Sequence, residues 1–294
     1  MSSGENISGA PALIQRVPAT PDPATHREGR KGIVVGTAML VAMLAAGALV
    51  PLLSEYPANE LIARPFQSPS TIHLFGTDQL GRDVFTRVFA AVYRDLGVAF
   101  VGVAIPLIIG TAVGILLSTA RSRLLVALTS SLIEAINALP LLVLAIALIA
   151  LFGPGLKSII IVLAITNWAR YALIARIRAT IVSQQAYIEA ARLMGYPTWQ
   201  IMLRHFVPNV SSETMAYALS DFVLVIMLIS GLSFLSLGAE PPTAEWGVMM
   251  SEGRPFVQNA WWMTIFPGLA LCWAGISLSF ITEGLSRRAR GPGD

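Results

Sequence analysis

The sequence predicts an all-α, polytopic membrane protein with six transmembrane helices. Of its 294 residues, 55% are hydrophobic and only 13% are charged, and the mean hydropathy is +0.68. Soluble domains average about 25% charged residues. Six apolar stretches each reach the roughly 20 residues that one helical crossing of a bilayer needs. Backbone polar groups in hydrocarbon must be hydrogen-bonded internally, and no alternating strand pattern recurs, so these stretches predict helices rather than a barrel.

The predicted spans follow a polar N-terminal tail, which is rich in Pro, Ser and Thr and is expected to be disordered. The spans lie at 32–53, 96–118, 127–152, 156–177, 214–237 and 261–281. Three of them contain a proline that predicts a kink: Pro106, Pro140 and Pro267. Gly110 and Gly114 in the second span either permit close helix packing or reflect ordinary glycine usage in membrane helices.

The chain divides into four predicted segments. A cytoplasmic tail (1–31) precedes the first span with an outer segment (32–95). A core (96–285) contains a long inner loop (179–213), and a short cytoplasmic tail (286–294) ends the chain. With six spans both termini share one side, and 14 of the 20 Lys and Arg residues fall on that side. Cytoplasmic loops carry the excess of Lys and Arg, so both termini are predicted to be cytoplasmic.

The sequence gives little support to an enzymatic function. It contains no G-x-x-x-x-G-K-[ST] motif, and its only lysines are Lys31 and Lys157, so it cannot form a P-loop. There is no H-E-x-x-H or G-x-S-x-G motif, and the single cysteine, Cys272, lies in an apolar run. We therefore predict a chain that neither hydrolyses ATP nor holds a metal or cofactor.

The inner loop predicts a helix–turn–helix element outside the bilayer. Residues 186–194 predict one helix, which Gly195 ends. Residues 198–206 predict a second, with Pro208 as its end. The small residues Ala190 and Ala191 would let another protein approach closely, and Glu189 and Arg192 could fix its register. The alternative is a helix pair that packs only on the helix ends of this chain.

Several motifs in this order resemble those of ABC importer permeases. Glu189, Ala190, Ala191 and Gly195, followed by 206–208, resemble the EAA loop. The strings G-T-D-Q-L-G-R-D at 76–83, W-A-R-Y-A at 168–172 and P-P-T-A-E-W-G at 241–247 resemble the dipeptide, oligopeptide and nickel branch, in its C-type subunit. Departures occur at Ile229, Ser230 and Ser236, and at 279–288, where the family commonly has other residues.

This resemblance implies a type I ABC importer permease fold in a bacterial inner membrane. It implies a second homologous permease, one or two ABC ATPase subunits that carry ATP and Mg, and an extracytoplasmic substrate-binding protein. Peptides or similar small solutes would be the cargo. The residues that the resemblance assigns to ATPase coupling are Glu189, Ala190, Ala191, Arg192, Gly195, His205 and Pro208.

Polar residues near or within the spans are candidates for the pathway. A charge in hydrocarbon costs roughly 2.5–3.5 kcal/mol, so Asp221 is expected to face a partner helix or a wet cavity, or else to lie at the interface. Glu134 is expected at the interface. The pathway candidates are Asn137, Asn167, Asp221 and Ser233.

The outer segments supply candidates for contact with a binding protein or partner subunit: Asp78, Arg82, Asp83, Glu245 and Trp246. The alternative for 78–87 is an amphipathic surface helix with an Asp83–Arg87 pair at i,i+4. For Trp246, Trp261 and Trp262, anchoring at the membrane interface is the default.

Two other function classes compete with the importer prediction. An ATP-independent secondary transporter would need a coupling-ion site and usually an internal repeat, and Asp221 alone is little support. A membrane scaffold would leave the long inner loop unexplained. The lipid bilayer is a predicted partner in all three cases, and nucleic acid in none.

Overall fold

The computed structural model describes residues 23–120 and 122–289, and the regular secondary structure within them is helical. The helices are α1 (Pro23–Leu53), α2 (Val84–Thr119), α3 (Arg123–Ala138), α4 (Leu141–Phe152), α5 (Leu156–Ser183), α6 (Ala186–Leu193), α7 (Thr198–Ile201), α8 (Val207–Phe234), α9 (Trp246–Gly253) and α10 (Trp262–Ala289). A π-helical turn, Met202–Phe206, joins α7 to α8. In the described part of the chain, one isolated bridge, Thr77 with Asp83, stands outside this pattern. The predicted all-α class is confirmed.

The structure describes only part of the two predicted tails. Residues 1–22 lie outside the described residues, as do 290–294 of the predicted C-terminal tail. Residues 23–31 belong to α1, so the expectation of disorder there is wrong. The reason is packing: a Cβ added at Gly284 of α10 would lie 2.6 Å from the carbonyl oxygen of Gly29.

Five helices are long and apolar enough to cross a membrane: those within Gly29–Leu53, Val84–Thr119, Leu156–Ser183, Thr198–Phe234 and Trp262–Arg287. The third predicted span is instead two helices, α3 and α4, bent by 99°. Pro140 lies at the bend, and Leu139 before it is extended, as a residue preceding proline tends to be. The described chain therefore has six spans when this bent pair is counted as one crossing.

Close helix packing explains three of the glycines. A Cβ on Gly114 of α2 would lie 2.5 Å from the carbonyl oxygen of Ala172 on α5. A Cβ on Gly36 of α1 would lie 2.5 Å from that of Ser277 on α10. Between the interpretations open for Gly110 and Gly114, the structure selects close packing, since Gly110 also abuts the backbone of α5.

Pro208 does not end the second helix of the inner loop. It lies in the first turn of α8, and the helical path continues from Thr198 to Phe234. The π turn makes this possible, because the Val207 N–H donates to the Met202 carbonyl five residues back. A proline is tolerated at the start of a helix because its missing N–H is not required there. The predicted helix end at 208 is therefore wrong.

Candidate functional site

The inner loop forms a compact element, α6 with α7 and the π turn (186–206). We call it the coupling element after the role predicted for it. One face of it is anchored. Its apolar side chains pack with the ends of α2 and α5 and the start of α8 in one buried cluster: Ile115, Ala175, Ala179, Val182, Ile188, Ala191, Ile201, Phe206 and Val210. Because these residues are fully or nearly fully buried, the element is tightly packed against the ends of the spans.

The opposite face of the coupling element carries large apolar side chains in solvent. Leu193 is 83% exposed and Trp199 is 64% exposed. Four other residues of the element have more than a third of their surface exposed: Tyr187, Met194, Tyr196 and Leu203. Glu189, Ala190 and Arg192 are exposed among them. A grouped apolar surface rimmed by charges is typical of a protein interaction site.

Gly195 shapes the turn between α6 and α7. Its φ is +82°, and a Cβ there would meet nothing within 4 Å. The Tyr196 N–H donates to the Ala191 carbonyl (3.2 Å) and the Gly195 N–H to that of Arg192 (3.0 Å), which together make a Schellman motif. The glycine is thus needed for its backbone conformation and not for space.

The remaining predicted coupling residues differ in exposure. Ala191 faces the anchored core, so only Ala190 of the two alanines offers an outer surface. His205 is half-buried and packs against Tyr187, with ring centroids 5.6 Å apart. Pro208 is exposed at the start of α8.

Among the pathway candidates, Asp221 makes an interhelical contact. Its carboxylate on α8 accepts a hydrogen bond from the Tyr171 hydroxyl on α5 at 2.9 Å, and both residues are buried. Asn167 and Ser233 are buried as well. Asn137 is exposed on α3, as is Glu134. In this chain alone, Asn137 is the candidate with a free side chain, and the other three lie between helices.

Charged residues of the outer segment belong to a buried cluster and do not lie on an amphipathic surface helix. The Arg82 guanidinium donates to Asp78 (2.5 Å) and to Glu252 of α9 (2.9 Å). Arg87 lies 3.7 Å from the Asp78 carboxylate and 3.5 Å from that of Glu252, and it also donates to the Pro242 carbonyl. Asp78 and both arginines are at most 4% exposed. We call these four residues the outer charge cluster.

The expected Asp83–Arg87 pair is not formed. Asp83 is the N-cap of α2, where its carboxylate accepts from the Thr86 N–H (2.8 Å) and contacts His73 (2.9 Å). The helix begins only at Val84, so the i,i+4 geometry assumed for the pair does not apply. Asp83 caps the helix instead, and Arg87 turns toward the cluster.

Glu245 and Trp246 hold the last outer loop against α2. The Trp246 backbone N–H donates to Asp95 (3.0 Å) and its indole N–H to the Val88 carbonyl (2.9 Å). Glu245 caps α9 through the Gly247 N–H, and burial raises the pKa of its carboxyl to about 7. Trp246 is fully buried, and Trp262 is 5% exposed with its indole N–H donating to the Thr77 carbonyl (3.0 Å). The expectation of interfacial anchoring is therefore wrong for both.

All five outer-face candidates are therefore interior residues, with at most 4% of their surface exposed: Asp78, Arg82, Asp83, Glu245 and Trp246. In this conformation they stabilise the outer module, by which we mean residues 54–95 together with 238–260, and they do not present a surface to a binding protein. Sequence reasoning missed Glu252 and Asp95 as their partners. Glu252 lies 170 residues from Arg82, and no local pattern signals such a pairing.

The family model described as "Binding-protein-dependent transport system inner membrane component" matches residues 75–291. The chain belongs to this family. It is a multi-pass, non-catalytic permease subunit of an ABC transporter that works with a binding protein and an ATPase, and the family's permeases bind no cofactor themselves.

Curated relatives place the permease near peptide transporters. The dipeptide transport system permease DppC of Alkalihalophilus pseudofirmus is 33% identical over 258 residues, 86% of this chain and 83% of that protein. The probable D,D-dipeptide permease DdpC of Escherichia coli is 32% identical, covering 86% and 85%. The glutathione permease GsiD of Pectobacterium atrosepticum is 31% identical, covering 87% and 86%.

Solved structures confirm the fold. A chain of the MetNI methionine ABC transporter, in an inward-facing conformation, superposes with a TM-score of 0.55 at 19% identity, covering 69% of the permease and 95% of that chain. An amino acid ABC transporter gives a TM-score of 0.51 at 19% identity, covering 69% and 94%. The predicted ABC importer permease fold is thus confirmed.

Proposed function

We propose that this permease carries peptides or similar small solutes inward, and that its coupling element docks an ABC ATPase. The observation that carries the proposal is the two-sided construction of the element. One face is locked to the ends of α2 and α5, while the other holds Leu193 and Trp199 in solvent. A segment built to pack only on its own chain would not leave these side chains exposed.

The docking residues follow from exposure. Leu193, Met194 and Trp199 supply the apolar centre, and Glu189 and Arg192 supply charges at its edge. Buried aromatic anchors with a polar rim are the usual source of affinity in protein interfaces. Ala191 and Gly195 act indirectly: the alanine lets α6 lie close to the spans, and the glycine sets the turn. His205 supports Tyr187, and Pro208 starts α8.

Docking on this element would move the spans directly. The path from α7 through the π turn into α8 is one continuous helical run, Thr198–Phe234. When ATP closes the ATPases, displacement of α7 passes to α8 without an intervening flexible loop. We propose that this displacement switches the pathway between inward-facing and outward-facing states.

The proposed orientation puts both termini and the coupling element in the cytoplasm. It is supported by the excess of Lys and Arg on that side, provided that α3 and α4 together cross the membrane once. The N-terminal tail (1–31) and the C-terminal tail (286–294) then lie inside, and the outer charge cluster lies outside. The core (96–285) would pair with a second, homologous permease.

The proposed cargo rests on the relatives, whose names specify dipeptides, D,D-dipeptides and glutathione. Within the chain, Asn137 on the exposed face of α3 is the proposed pathway residue. Asp221, by contrast, is proposed to hold α5 to α8 through Tyr171.

The coupling proposal is tested by changing the exposed face alone. Leu193→Ala with Trp199→Ala should reduce co-purification of the ATPase by tenfold or more, because two apolar anchors are lost. Leu151→Ala, which truncates an equally exposed leucine on α4, is the matched control and should leave co-purification unchanged.

Uptake in proteoliposomes completes the test. ATP with the binding protein should drive peptide accumulation, and the double variant should lose it while inserting normally. Uptake that follows an ion gradient and ignores ATP would contradict the proposal in favour of a secondary transporter. Full ATPase docking by the double variant would remove the role assigned to the exposed face.

A further inference from the structure

A basic cleft lies where α2 ends, between residues 123–131 of α3 and the C-terminal half of α5. Its volume is about 540 Å³. Its polar atoms come from Arg123, Ser130, Ser131 and Arg176. Apolar side chains form the rest of the lining: Leu117, Ala120, Val126 and Ala127. Neither the coupling element nor the outer charge cluster contributes to it.

The two arginines of the cleft carry charge that the described chain does not neutralise. Arg176 donates to the Ser130 hydroxyl, which itself donates to the Val126 carbonyl (2.6 Å). Arg123 and Arg176 form no ion pair within the described residues. Glu134, one turn beyond Ser130 on α3, lies outside the lining. Arg176 is half-buried and Arg123 is exposed at the rim of this open cleft. Two neighbouring guanidinium groups favour an anion with several oxygens.

The neighbouring face of α3 identifies the kind of anion. Leucines stand there with more than half of their surface exposed: Leu124, Leu125, Leu128 and Leu132. At 100° per residue, Leu124 and Leu128 lie on the same side of α3 as Ser131, so the leucine face adjoins the lining of the cleft. A helix with basic and hydroxyl groups beside an exposed apolar face is typical of a membrane interface. A free phosphate has no apolar part that could pack on these leucines.

We propose that this cleft binds the phosphate headgroup of an anionic phospholipid, with its acyl chains along the leucine face of α3. The site lies at the same end of the spans as the coupling element, since the Thr119 hydroxyl lies 3.9 Å from the Met202 sulfur. The lipid would therefore come from the leaflet next to the ATPase. It would brace the bent pair α3–α4 against α5.

Native mass spectrometry of the delipidated transporter tests this proposal by titration with phosphatidylglycerol, phosphatidylcholine and inorganic phosphate. Phosphatidylglycerol should be retained in preference to both other probes. Arg123→Gln with Arg176→Gln should weaken its binding roughly 30-fold, because each basic residue near an anionic lipid contributes about fivefold. Arg30→Gln with Lys31→Gln, an equal charge change at exposed positions on α1, should change it less than twofold.

A second variant guards against a folding defect. Arg123→Lys with Arg176→Lys keeps the charge and should retain most of the binding. Equal retention of phosphatidylcholine, equal retention of inorganic phosphate, or unchanged binding by the glutamine variant would each overturn the proposal. ATPase docking is measured at the coupling element, so its outcome is independent of this site.

Discussion

Removing Arg82 is expected to destabilise the whole outer module. The guanidinium is fully buried and bonds both Asp78, four residues before it, and Glu252, 170 residues after it. Arg82→Met would leave two carboxylates with only Arg87, whose nitrogens stand 3.7 and 3.5 Å from them. Breaking a buried ion pair in this way costs about 3–5 kcal/mol. At roughly 2–4 °C per kcal/mol, the midpoint of thermal unfolding should fall by about 6–20 °C.

The assay is thermal unfolding of the purified transporter in detergent, followed by the fluorescence of its tryptophans. Arg64→Met is the matched control, because Arg64 lies in the same outer segment with an exposed side chain. It should shift the midpoint by less than 2 °C, as surface substitutions usually do.

A double variant checks the electrostatic cause. Arg82→Met with Glu252→Met removes one charge of each sign and should recover a large part of the loss, since apolar replacement of a buried pair is often nearly neutral. A midpoint for Arg82→Met within 2 °C of wild type would refute the reasoning. A double variant less stable than Arg82→Met would show that charge imbalance is not the cause.

Three further predictions concern other parts of the chain. Because burial raises the pKa of Glu245 to about 7 from 4.5, its contribution to stability is full below pH 4.5 and is lost as pH rises through 7. This contribution to the free energy of unfolding amounts to at most about 3 kcal/mol. From pH 5 to 8, the thermal midpoint of Glu245→Gln should therefore fall less steeply than that of the wild type or of the exposed control Glu240→Gln. Gly195→Ala should cost about 1–2 kcal/mol at its positive φ, whereas Gly195→Asn, which tolerates that conformation, should cost less. Hydrogen exchange at the Tyr196 amide reports the difference, and equal rates in both variants would contradict it. Tyr171→Phe should cost about 1–3 kcal/mol by leaving the Asp221 carboxyl unpaired, and a midpoint equal to that of Tyr187→Phe, an exposed control, would count against this role.

The sequence predicted the elements that depend on local pattern. Long apolar runs placed five spans, and the sequence around Gly195 predicted the turn that the Schellman motif forms. The excess of apolar residues over charge excluded a soluble enzyme because no soluble core could hide that surface. Each of these features depends on residues close together in the chain.

Features that depend on distant contacts were not predictable. Asp83 and Arg87 have the spacing of a helical pair, but the pair requires Asp83 to lie within the helix. Asp83 instead caps the helix, which begins at Val84. Glu252 gave no local sign of its partners. Pro208 predicted a helix end because the π turn that accommodates it has no sequence signature.

The run from Thr198 to Phe234 also has a mechanical consequence. At 1.5 Å per residue, its 37 residues make a rod about 55 Å long. Only the widened turn at Met202–Phe206 interrupts its regularity, so bending should concentrate there. On the same geometry, a tilt of about 5° would displace the far end by about 5 Å. The rod therefore acts as a lever with one flexible turn. The stiffness of those five residues determines how much of a displacement at α7 is transmitted to the other side of the membrane.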